Sequence, residues 1–111
     1  MDVKNFKKIA FETLTVSTSA GGLGFTAATI NPMTGVQIGD QADFALVTVA
    51  TNPIRYRLDG VAPSATVGHY VAAGDSFELS VPQLIKNFLA IRDTTATGDA
   101  AVSCTYGWTV R

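Results

Sequence analysis

The chain is 111 residues long, enough for one domain with a single core and too short for two. Lys and Arg total 8 and Asp and Glu total 9, so no broad basic field exists to hold nucleic acid. Charged residues are only 15% of the chain, roughly half of what suits the surface of a small monomer, which points to surface that a partner covers.

Asp2, Lys4, Lys7 and Lys8 gather around Val3 and Phe6 in the first eight residues. This composition reads as a charged N-terminal arm, residues 1–8, ahead of a single β-sandwich domain, residues 9–111. Such an arm either frays or docks on something acidic with Phe6 as its anchor. Met1-Asp2-Val3-Lys4 opens no apolar signal segment, and no apolar run reaches bilayer-spanning length, so the expectation is an unprocessed cytoplasmic product without membrane contact.

Ile9 to Thr18 reads as a strand, followed by the glycine-rich turn Ser19 to Gly24. Those glycines lack the spacing and the Lys-Ser or Lys-Thr of a phosphate loop. Phe25 to Ile30 reads as a short strand, Asn31 to Gly35 as a turn cluster, and Val36 to Ile38 as a continuation that Gly39-Asp40 ends. Phe44 to Ala50 is a nearly continuous apolar run, the pattern of a central strand covered on both faces. Ile54, Tyr56 and Leu58 then alternate with Arg55, Arg57 and Asp59, a strand with one wet face. A Pro/Ser/Ala/Thr loop from Val61 leads to an extended His69-Tyr70-Val71. Ser76 to Val81 alternates again until Pro82 ends it. Gln83 to Asn87 is a single helical turn or an irregular crossover, Phe88 to Arg92 is extended, and Asp93 to Asp99 is a loop.

The last stretch, Ala100 to Arg111, has the strongest pattern. Val102, Cys104, Tyr106, Trp108 and Val110 alternate with small or hydroxylated residues, the period of a half-buried antiparallel strand. At about 3.3 Å per residue it is long enough to span the domain or protrude from it. Seven or eight short strands, turns about every eight to twelve residues and no convincing amphipathic helix give an all-β fold class: an antiparallel β-sandwich, of jelly-roll type within that class.

The residues that carry chemistry are sparse. His69 is the sole histidine, with no second ligand for a metal and no nucleophile to serve as base. The carboxylates sit singly at turns. Cys104, on the apolar face of the last strand, reads as a buried small side chain. The expectation is therefore no enzyme, no cofactor, no metal and no small-molecule substrate. Arg55 and Arg57 share a strand face that Arg92 can join, a row that either grips a partner's carboxylates or is simply solvated. Trp108 near the chain end divides evenly between interface anchor and core. The candidate partner contacts are Lys4, Phe6, Lys7, Lys8, Arg55, Arg57, Trp108 and Arg111.

One resemblance covers roughly half the chain. It is carried by Asn52-Pro53-Ile54-Arg55-Tyr56-Arg57-Leu58-Asp59-Gly60, Gly68-His69-Tyr70, Ala73-Gly74-Asp75-Ser76-Phe77-Glu78-Leu79, Lys86-Asn87-Phe88-Leu89-Ala90-Ile91-Arg92 and Val102-Ser103-Cys104-Thr105-Tyr106. With the length and N-terminus, these segments resemble the small cement ("staple") proteins of epsilon15-like short-tailed bacteriophages. The resemblance implies a jelly-roll subunit on the outer capsid surface of the virion. It would bind the major capsid protein, pair with itself as a homodimer rather than a trimer, and clamp neighbouring shell subunits against internal DNA pressure. A glycan-binding module, or a tail or neck component of a phage particle, is the alternative.

Overall fold

The computed structural model describes residues 6–30 and 42–109. Seven strands form two antiparallel sheets: β1 (Phe6–Val16), β2 (Phe44–Thr51), β3 (Ile54–Arg57), β4 (His69–Val71), β5 (Ser76–Leu79), β6 (Leu89–Arg92) and β7 (Ala100–Thr109). The larger sheet runs β1-β7-β2-β5 and the smaller β4-β3-β6, packed as a sandwich. Two short helices, α1 (Ala27–Ile30) and α2 (Pro82–Asn87), join the layers. On the far side of β6, Leu23 makes a single antiparallel bridge with Ala90, exchanging hydrogen bonds of 2.8 and 2.9 Å. The β3–β4 connection stays within the smaller sheet; β1 and β2 both belong to the larger sheet, and the chain between them passes Leu23 at β6.

The alternation of β7 sets the core. Ala100, Val102, Cys104, Tyr106 and Trp108 are all buried, while Ala101, Ser103, Thr105 and Thr109 face outward half-covered. Opposite them lie Ile54 from β3, Ala90 from β6, and Phe88, which follows α2. Phe25 stacks on Phe88 with ring centroids 4.3 Å apart and meets Tyr106 edge-on at 5.2 Å. Tyr56 stacks on Phe77 across the two sheets at 4.5 Å. Such ring pairs contribute about 0.5–1.5 kcal/mol each beyond the area they bury.

Three expectations change. The long last strand does not protrude: β1 and β2 flank it on both sides, so its backbone groups are consumed inside the sheet. Phe25 to Ile30 is not a strand, because Ile30 N–H turns back to the Thr26 carbonyl at 3.1 Å and closes α1. Thr26 itself is held by Glu12, whose carboxylate accepts its N–H at 3.1 Å and its hydroxyl at 2.5 Å. In β2 the inward face is fully buried at Ala45, Val47 and Val49, whereas on the other face Phe44 is buried at one end and Leu46 and Thr48 are half-covered.

The arm boundary shifts as well. β1 begins at Phe6, so residues 6–8 lie in the sheet, and residues 1–5 fall outside the described residues. The expected turns and short strand between Asn31 and Asp40 also fall outside them. No helix among the described residues is long and apolar enough to cross a membrane.

Candidate functional site

The arginine row is the first candidate surface, and its side chains are already committed. Arg55 donates from Nε to Asp93 at 2.7 Å and from Nη1 to the Gly68 carbonyl at 3.1 Å, with its guanidinium 5.3 Å from the Tyr70 ring centre. Arg57 makes a two-point pair with Asp59 at 2.5 and 3.1 Å, which raises the arginine's pKa and lowers the aspartate's. Arg92 does not join them. It sits opposite Ile54, on the other face from Arg55, and pairs with Asp99 at 3.0 Å. The three guanidiniums therefore neutralise the chain's own carboxylates rather than forming an open grip for a partner's.

Asp93 holds this corner together. It is 4% exposed and accepts from the Thr95 hydroxyl at 2.5 Å, the Thr95 N–H at 2.9 Å and Arg55. The Thr95 hydroxyl first, then Arg55, pull its carboxyl down to about 2. The wet face expected for β3 is partly roofed by the loop before β4. Pro63 in that loop is buried, and Gly68 crosses β3 so closely that a Cβ there would lie 3.0 Å from the Tyr56 carbonyl oxygen. With φ at +137° as well, the position requires glycine.

Two shallow clefts flank β4. One, of about 450 Å³, is lined by Arg57, Leu58, Asp59, Val67, Gly68 and His69. The other, of about 470 Å³, lies between Tyr56, Tyr70, Asp75, Ser76 and Phe77 at the open side of the sandwich. His69 is exposed and touches only the Tyr56 ring among the contacts seen, at 5.2 Å. No cluster of three or more His, Cys, Asp or Glu side chains suited to a metal occurs among the described residues. Cys104 is fully buried, and burial pushes its thiol up to about 12, the opposite of an activated nucleophile.

Trp108 requires a correction. It is 2% exposed and belongs to the core, with Lys8 Nζ 5.0 Å from its ring centre, so it is not a surface anchor. Its place follows from the even-numbered face of β7, which turns inward along its whole length. Lys8 is exposed. The side chains of Phe6 and Lys7, and all of Lys4 and Arg111, lie outside the described residues.

What composition alone did not single out is the outer face of the larger sheet. Register places Ile9, Phe11, Thr13 and Thr15 of β1 opposite Gly107, Thr105, Ser103 and Ala101 of β7. Leu46 and Thr48 of β2 continue the same face, followed by Glu78 and Ser76 of β5, while the corner where Phe44 pairs with Gly107 is buried. Across these twelve positions Glu78 is the single charge. Phe11 is 63% and Ile9 49% exposed at one side of it. The alternation of β1 held the signal: its apolar residues fall on both faces, more than one core can take.

Comparison with known proteins finds no match among family models, curated proteins or solved structures.

Proposed function

We propose that this chain is a structural protein of a bacteriophage particle, a capsid cement subunit that adds contact area over the joints between shell proteins. The observation that carries the reading is the almost uncharged outer face of the β1-β7-β2-β5 sheet, with Phe11 and Ile9 exposed along it. A large exposed face of small, hydroxylated and apolar side chains suits docking against protein better than remaining in water. The committed arginines and the inert thiol fit a role in which the chain binds and does not transform. The order of connections favours the jelly-roll form of the sandwich: with Leu23 counted as the remnant of an eighth strand, the chain crosses between sheets at every step except β3–β4. The resemblance of residues 52–106 to phage cement proteins supplies the identity of the partner, the major capsid protein.

The test is cosedimentation of the purified chain with shells that lack it. Wild type is expected to bind in saturable fashion, and Phe11→Asp and Thr105→Lys to bind at least tenfold more weakly with unchanged melting curves, since each buries a charge at the interface. Equal binding by all three chains would remove this face from the function.

A further inference from the structure

β1 forms one margin of the larger sheet, and its outer edge is open over most of its length among the described residues. Which of its backbone groups face outward follows from the hydrogen-bond pattern. Val49 exchanges bonds with Gly74 and Asp75 on the β5 side, at 2.6 and 2.9 Å. Leu46 and Thr48 therefore face β7, and their partners Thr105 and Ser103 face β2. The even residues of β7 face β1, bonding Lys8, Ala10, Glu12 and Leu14. Ile9, Phe11, Thr13 and Thr15 thus turn their N–H and C=O groups to the open side. The Ser17 carbonyl, next in the same alternation, accepts from Arg92 N–H of β6 at 3.1 Å. The smaller sheet closes that end, and among the described residues no strand pairs with the end around Ile9 to Thr13.

An edge of this kind is a template for another strand unless it is short, charged, bulged or covered. β1 is 11 residues long and has no proline; its register irregularity lies between Phe6 and Lys8, ahead of the Ile9–Thr13 stretch, its charges are Lys7, Lys8 and Glu12, and Phe11 and Ile9 are exposed. We propose that a second copy of this chain occupies it, the two β1 strands pairing antiparallel about a two-fold axis at Ala10. In that register Lys8 lies opposite the partner's Glu12, twice, and Ile9 lies opposite the partner's Phe11, twice.

Neighbouring registers lose this match. A two-fold at Lys8 or at Glu12 sets like charges against each other, and one at Ile9 or Phe11 leaves both charges opposite apolar residues. Directly opposed like charges destabilise a strand pair, while opposite charges and aromatic–aliphatic pairs stabilise it. Glu12 has room for the contact: Tyr106 and Thr26 fill three of its roughly four acceptor sites, leaving one on Oε1. Isologous pairing of this kind closes on itself and does not propagate into fibres. The same step makes one continuous sheet whose outer faces lie side by side, doubling the uncharged surface. The inference rests on the edge of β1 alone and holds whatever the pair binds.

Sedimentation velocity over a concentration series reads the association without any shell. Wild type is expected to shift from monomer to dimer; a monomer at every concentration overturns the proposal. Thr13→Pro removes an outward N–H without touching the bonds to β7, and Lys8→Glu sets carboxylates opposite each other; because it also removes the cation over the Trp108 ring, its melting curve is recorded beside the sedimentation run and a folded monomer is the expected result. Both are expected to abolish the dimer, and should Thr13→Pro fail to fold, Lys8→Glu decides. A Lys8→Glu chain that dimerises as wild type places the contact elsewhere and overturns the proposal. Register is read by oxidation: an Ile9→Cys chain mixed with a Phe11→Cys chain is expected to cross-link as the mixed pair. Cross-linking of Phe11→Cys with itself in preference to the mixed pair would refute the axis at Ala10.

Discussion

Replacing Asp93 by asparagine keeps the shape of the side chain and removes its charge. Folding moves that carboxyl from 3.8 to about 2, because the Thr95 hydroxyl, Arg55 and the Thr95 N–H all donate to it in a site only 4% exposed. At about 1.4 kcal/mol per pH unit, the charged form gains on the order of 2 kcal/mol on folding. The folded-state value is depressed, so this stability is present above the unfolded value near 4 and is lost as pH falls through about 2. Asp93→Asn lacks that component and leaves Arg55, 28% exposed on its side chain, against a neutral partner. Urea unfolding at about pH 7 is expected to show the variant on the order of 2 kcal/mol less stable. The gap between variant and wild type should narrow steadily through the acid range and nearly vanish around pH 2. A gap that stays constant with pH would mean that the lost stability is packing and not the charge of Asp93.

Three further outcomes follow from the core and its loops. Trp108→Ala is expected to cost about 3–5 kcal/mol of stability, measured by thermal unfolding, because the ring lies inside the sandwich; a stable fold with altered docking would return it to the surface. Gly68→Ala is expected to cost about 2 kcal/mol in the same assay, since φ at +137° and a carbonyl oxygen 3.0 Å from the new Cβ both oppose it. The Cys104 thiol is expected to resist a disulfide reagent such as Ellman's in the native protein and to react fully in denaturant; rapid native reaction would contradict its burial.

The elements were legible in the sequence where alternation is strict. Val102 to Trp108 on β7, Ile54 and Tyr56 on β3, and Phe77 and Leu79 on β5 all turn inward as their period of two requires. What stayed hidden depends on pairing between distant parts of the chain. That β7 is a central strand is decided by Phe6–Val16 lying alongside it, more than eighty positions away, and no local pattern encodes that choice. The helical turn at Ala27–Ile30 depends on Glu12 holding Thr26, 14 positions further along the chain. The arginines of β3 looked like an open row because Asp93, the partner of Arg55, is remote in sequence, although Asp59 beside Arg57 was in plain view. The exposed apolar side of β1 was visible in outline: Ile9 and Phe11 lie on the face opposite Leu14 and Val16, and a single core accepts only one of the two faces.

A capsid cement subunit, the role proposed for this chain, must be present in many copies per particle. Quantitative mass spectrometry of purified particles against the major shell protein is expected to give about one copy per shell subunit, since many weak contacts acting together are what the clamp requires. A handful of copies per particle, or none, would contradict that role.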